Sequence, residues 1–307
     1  MKAISKISAL MLIPALAMAK GSPSHAVLDF LPDLDRIVVD AAFSGGDTVR
    51  FIVDNGAQFS VIDSSFESRF EWLDNIVVGS MGVDGGISFI STVLIDSLWV
   101  GDIVVTDIGV AAMDLSYLSE GFGFDVAGLL GTDFLSDFAW TLDYSSHKII
   151  FDKLKENGGL LDPKAATSVS REPTYSIGFE RQLHLLRTKA QFSDGVFGNI
   201  ALDCGIQGGV ISPEIFSKIP EEAYLLVGTD TLIDADKNSI PIPNIILRDF
   251  AIGPVARSDY PILVVDLSGG EFGGLNIDGV IGYDFFQDWL ITTRFDKKVI
   301  ELRPIPK

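Results

Sequence analysis

From about residue 36 onward the chain alternates short runs of Val, Ile, Phe and Leu with clusters of Gly, Asp and Ser. That spacing predicts short strands joined by turns. "TVRFIVD" (Thr48–Asp54) and "FSVID" (Phe59–Asp63) read as two strands flanking the turn "NGAQ". A helical period surfaces once in each half of the chain. "TDFLSDF" (Thr132–Phe138) and "YDFFQDW" (Tyr283–Trp289) space aromatic residues three and four apart, with acids near the start where a helix dipole favours them. The expected class is mainly β, with one short helix per half.

The two halves repeat each other. "FSGGDTVRFIVDNGAQFSVID" from Phe43 matches "FSDGVFGNIALDCGIQGGVIS" from Phe192, which sets Asp54 over Asp203 and Gly56 over Gly205 at an offset of 149. "SLWVGDIVVTDIGVAAMDLS" (Ser97–Ser116) matches "DFAIGPVARSDYPILVVDLS" (Asp249–Ser268) at 152, and "VAGLLGTDFLSDFAWTLDY" from Val126 matches "IDGVIGYDFFQDWLITTRF" from Ile277 at 151. Each half ends on an apolar strand pattern, "HKIIF" (His147–Phe151) and "KKVIEL" (Lys297–Leu302). Matching blocks in one order at nearly one offset mean duplicated lobes. We place them at 27–155 and 173–307, joined by the Gly-, Pro- and Ser-rich linker 156–172.

Composition narrows the function. The chain is 47% hydrophobic, so each lobe can bury a core. Its net charge of −19 repels phosphate backbones and anionic lipid, which argues against nucleic-acid or membrane-surface partners. The first nineteen residues carry Lys2 and Lys6, an apolar run and "AMA" (Ala17–Ala19), the pattern of a signal peptide, so export to the periplasm or the medium is expected. Cys204 is the one cysteine and cannot form an internal disulfide. The three histidines, His25, His147 and His184, make no metal-ligand spacing, and neither a nucleophile elbow nor a phosphate loop appears.

Both Asp-x-Gly turns follow fully apolar runs, "FIV" and "IAL", so each acid leaves a buried strand at the edge of the core. About 75 residues later each half carries an apolar-Gly segment, "GLLG" or "GVIG", where glycine permits one backbone to pass close to another. "VDNGAQFSVID" with "GLLGTDFL", and "LDCGIQGGVIS" with "GVIGYDFF", resemble the paired motifs of the retropepsin-like aspartic peptidases, here as two fused lobes in the pepsin manner. The likeness covers most of 36–152 and 185–304. It implies two acid-protease-like β-barrel lobes around a cleft that takes an extended polypeptide, with no cofactor, in a monomer. It also implies that Asp54 and Asp203 are the catalytic pair. Asn55, Gly56 and Ala57, and Cys204, Gly205 and Ile206, would form the supporting loops. A flexible hairpin over the cleft is expected at "GVDGG", with Gly82, Asp84, Gly85 and Gly86 at its tip.

The chemistry of the pair follows from charge. Two carboxyls about 3 Å apart cannot both ionise, so they share one proton. The ionised one can take a proton from water while the other donates to the carbonyl oxygen. The sequence does not say which is which. The family's middle loop residue is Thr or Ser, whereas this chain has Asn55 and Cys204, and bulky Ile206 follows Gly205. Two functions therefore fit: an aspartic endopeptidase, or a non-catalytic peptide- or protein-binding protein on the same scaffold. For Cys204 a nucleophilic role lacks a neighbouring base in sequence. For His147 and His184 a structural or solvent-exposed place, and for Trp99, Trp140 and Trp289 a core place, are expected.

Overall fold

The computed structural model describes residues 17–19, 22–32, 36–46, 48–73, 78–81, 87–166, 172–233, 239–269 and 272–305. The expected flap tip, Gly82 to Gly86, lies outside the described residues, as do residues 1–16 of the leader and 167–171 of the linker.

The fold is mainly β, built on two closed six-stranded barrels. Round the first, Ile103–Met113 pairs with Val61–Asp63, then Val126–Leu130, Thr48–Val53, Ile37–Phe43 and Ile87–Val100, which returns to Ile103–Met113. Round the second, Val255–Val264 pairs with Gly209–Ile211, then Gly279–Gly282, Val196–Asp203, Leu185–Ser193 and Ser239–Ile252, which returns to Val255–Val264. The two rings share strand order and direction. In each, the strand ending at the Asp-x-Gly turn runs parallel to the strand of the apolar-Gly segment. The strand after the turn runs parallel to the strand matched at offset 152. The sequence repeat is thus a repeat of topology. Closure also leaves the barrel strands without open edges.

A third sheet joins the lobes. Its order is Tyr175–Gly178, Val299–Pro304, Trp289–Arg294, Phe138–Asp143, Lys148–Lys153 and His25–Asp29. The two strands that follow the short helices pair antiparallel across the middle, with Thr141 opposite Thr292 and their hydroxyls 2.8 Å apart. Trp140 stacks on Tyr283 of the other lobe at 5.3 Å. One apolar cluster therefore runs from the first barrel through this sheet into the second. It fixes the position of one Asp-x-Gly loop against the other.

The helices are smaller and more numerous than the pattern predicts. Thr132–Leu135 is one α-turn and Tyr283–Phe286 one 3-10 turn. A seven-residue helix, Ser116–Phe122, follows the long strand of the first barrel and closes at Gly123 with φ of 73°. Its sequence has a weak apolar period, and it is placed by packing of Leu118 and Phe122 on Leu115 and Val126.

Candidate active site

Each acid is delivered by the end of a buried strand. Phe51, Ile52 and Val53 are buried, and the Asp54 N–H continues the ladder to the Leu130 carbonyl at 3.0 Å. Asp54 then folds the chain onto itself. Its Oδ1 accepts from the N–H groups of Gly56 at 2.8 Å and Ala57 at 3.2 Å. Asp203 does the same in the second lobe, where the Gly205 N–H donates to its Oδ1 at 2.7 Å. These are Asx-type turns, which explains the Asp-x-Gly spacing in each lobe.

The two loops meet face to face, and the Asp54 and Asp203 carboxyls are hydrogen-bonded to each other. A Cβ on Gly56 would run into the Asp203 carboxyl, and one on Gly205 would run into that of Asp54. Glycine is therefore required at both positions by close approach. Burial raises the Asp54 carboxyl above its usual range, opposed by the Gly56 and Ala57 N–H groups, the Arg36 charge and the bond to Asp203.

Asn55 and Cys204 lock the loops crosswise. The Asn55 side chain donates to the Leu202 carbonyl at 2.7 Å and accepts from the Cys204 N–H at 2.7 Å. The Cys204 thiol donates to the Val53 carbonyl at 3.4 Å and its sulfur accepts from the Asn55 N–H at 3.5 Å. Each side chain thus donates to a carbonyl and accepts an N–H from the opposite lobe. Both are buried, so the four bonds are shielded from water. Burial pushes the Cys204 thiol well up, and the two aspartates push it further. The thiol stays protonated and serves the lock. Ile206 packs on the apolar cluster of Leu185, Ala201, Ile277 and Val280, and its carbonyl sits against Gly282.

A further layer holds the loops from behind. The Asp133 carboxylate accepts from the Ser60 N–H at 2.9 Å, the Ser60 hydroxyl at 2.7 Å and the Phe134 N–H at 2.8 Å. Asp284 accepts from the Gly208 N–H at 3.0 Å, and the Tyr260 hydroxyl bonds the Gly208 carbonyl at 2.9 Å. Burial raises both carboxyls. The sequence reading gave these acids a helix-dipole role alone. Their signal was the repeat itself: "GTD" and "GYD" place an acid two residues after the second glycine in both lobes. The glycines of "GLLG" and "GVIG" do mark close approach, since a Cβ on Gly131 would strike the Phe59 backbone and one on Gly282 the Ile206 carbonyl.

His184 takes a structural place, beside the loop of the opposite lobe. It sits in the two-residue turn between Glu180–Gln182 and Leu185–Ser193, where Leu183 takes φ of 58°. The ring is buried and lies against the Gly56 backbone of the other lobe. Burial lowers its pKa to about 4, so it is neutral at ordinary pH. Tyr117, exposed on the helix Ser116–Phe122, stands close enough to Asp54 to feel its charge. Trp140 lies in the core, while Trp99 and Trp289 are partly buried.

Residues 39–134 match the aspartyl protease family. The match runs from the strand Ile37–Phe43 into the helix Thr132–Leu135 and so takes in Asp54, Asn55, Gly56, Ser60 and Asp133. The match lies within the first lobe. The second lobe repeats the strand order of the matched lobe and is joined to it by the crosswise bonds between the loops. No curated protein matches the chain.

Proposed function

We propose that the protein is an aspartic-type endopeptidase that hydrolyses extended polypeptides in the cleft between its lobes. The observation that carries this reading is the hydrogen-bonded contact of Asp54 and Asp203, each at the tip of an equivalent loop. Two buried carboxyls in contact hold one proton between them at acid pH. The ionised member removes a proton from water as the oxygen attacks the peptide carbonyl. The protonated member delivers its proton to the carbonyl oxygen, giving a tetrahedral diol. The proton held by the first then passes to the amide nitrogen, the C–N bond breaks, and the second recovers its proton from a diol hydroxyl. Neither acid is consumed, and the chemistry calls for no cofactor. The leader-like first nineteen residues support export, and the net charge of −19 speaks against nucleic-acid or membrane-surface partners.

The alternative, a protein that holds peptides without cutting them, rested on Asn55, Cys204 and Ile206. The crosswise bonds of the first two and the inward packing of the third weaken that case. The test is incubation with a mixed library of unstructured peptides from about pH 3 to 7, beside Asp203→Asn, since a shared-proton pair fails when either acid is neutralised. Cleavage by the unaltered protein alone, falling as pH rises and the shared proton is lost, supports the peptidase. Peptide retention without cleavage at any pH supports the binding protein.

A further inference from the structure

The two lobes repeat their strands but differ in what stands beside each acid. In the first lobe Ile37 pairs with Val53 and Val38 with Ile52, antiparallel. One more step along that register sets Arg36 opposite Asp54. In the second lobe Leu186 pairs with Leu202 and Arg187 with Ala201. The same step sets Leu185 opposite Asp203. Directly opposed residues on antiparallel strands project from the same face and interact. Arg36 is half-buried, whereas Leu185 is 1% exposed and packs on Ala201, Ile277 and Val280. The register therefore sets a cationic residue opposite one acid and a hydrocarbon opposite the other.

Building on the peptidase reading, we propose that Arg36 is a positioning residue that sets the shared proton on Asp203, leaving Asp54 as the carboxylate that deprotonates water and Asp203 as the acid that protonates the peptide carbonyl oxygen. After attack the proton from water rests on Asp54 and passes to the leaving nitrogen, while Asp203 regains its own from the diol. The other groups around Asp54 agree. Its charged form is favoured by two backbone N–H donors, by Arg36 and by the hydrogen bond from Asp203, against the burial that disfavours it. Tyr117 and Cys204 also face Asp54, and both hold their protons more tightly than usual. His184, behind Gly56, is neutral above about pH 4. Arg36 supplies the positive charge that tells the two acids apart.

The variants Arg36→Gln and Arg36→Lys test this. Arg36 stabilises every state in which Asp54 is ionised, whether Asp203 is protonated or not. Its loss therefore raises the first ionisation of the pair and leaves the second nearly unmoved. In the pH profile of kcat/KM, Arg36→Gln should lose about tenfold on the acid limb and stay within about twofold on the alkaline limb, as expected when a carboxylate loses an adjacent Arg. Arg36→Lys should restore most of the acid limb. A parallel readout is carbon-13 titration of the two carboxyls, assigned with Asp54→Asn and Asp203→Asn, in the absence of substrate. Asp54 should ionise first, and later in Arg36→Gln. An unmoved acid limb, an equal shift of both limbs, a change confined to KM, or first ionisation at Asp203 would each overturn the assignment. If the protein cleaves nothing while the carboxyls titrate as expected, the peptidase reading fails and the role of Arg36 stands.

Discussion

At the residue scale, the loop lock uses side chains outside the usual Thr or Ser yet keeps the same logic of one donor and one acceptor per lobe. Asn55→Ala would leave the Leu202 carbonyl and the Cys204 N–H buried without partners, at a cost of about 2–4 kcal/mol. Urea denaturation should show that loss as a lower midpoint. Cys204→Ser should keep the fold and the activity, because Ser is a similar size and a better donor to the Val53 carbonyl. A nucleophilic Cys204 would instead lose all turnover in the same variant. Gly205→Ala places a methyl group against the Asp54 carboxyl, and displacement on that scale should lower kcat by about a hundredfold. The pair Asp54 and Asp203 was legible in the sequence because Asp-x-Gly recurs at a fixed offset after buried strands. Asp133, Asp284 and His184 were not. An acid near a helix start has an ordinary explanation, and a histidine beside a strand carries no sign of the loop it will touch.

At the element scale, the strands were legible and their partners were not. Alternation and turn residues mark "TVRFIV" and "FSVID" as strands, and the structure forms Thr48–Val53 and Val61–Asp63 there. "HKIIF" and "KKVIEL" read as the last strands of two separate lobes. They instead join a sheet shared by both, since strand pairing is decided by tertiary packing that a local pattern does not encode. The single-turn helices Thr132–Leu135 and Tyr283–Phe286 matter through Asp133 and Asp284, which fasten the loops from behind. Asp133→Ala should release Ser60 and Gly131, costing about 2–3 kcal/mol on the scale of hydrogen bonds to a charged group. Amide hydrogen exchange should then rise at Gln58–Val61 before it rises in the barrel strands.

At the scale of the whole molecule, charge sets the pH at which the fold is strongest. Asp54, Asp133 and Asp284 have raised pKa values through burial, so their contribution is full below the unfolded value and is lost as pH rises through the folded one. Asp296 and Glu301 are lowered, chiefly by Arg294 and Arg303 acting against burial, so theirs is present above the unfolded value and is lost as pH falls through the folded one. The excess of negative charge adds repulsion at neutral pH. Stability should therefore peak on the acid side of neutrality, with a higher urea midpoint near pH 5 than near pH 7.5. The same burial predicts that Asp54→Asn is at least as stable as the unaltered protein at pH 7, because a buried charge in contact with its like is removed.

The central claim is that Asp54 and Asp203 act as one unit. Its most direct test is kcat/KM on a single cleaved peptide for Asp54→Asn, Asp203→Asn and the double variant, each verified as folded. Residues that work as a unit give grossly non-additive losses. The account predicts that either single substitution removes as much activity as both together. A single variant that keeps a large share of the rate, or losses that multiply in the double variant, would contradict it.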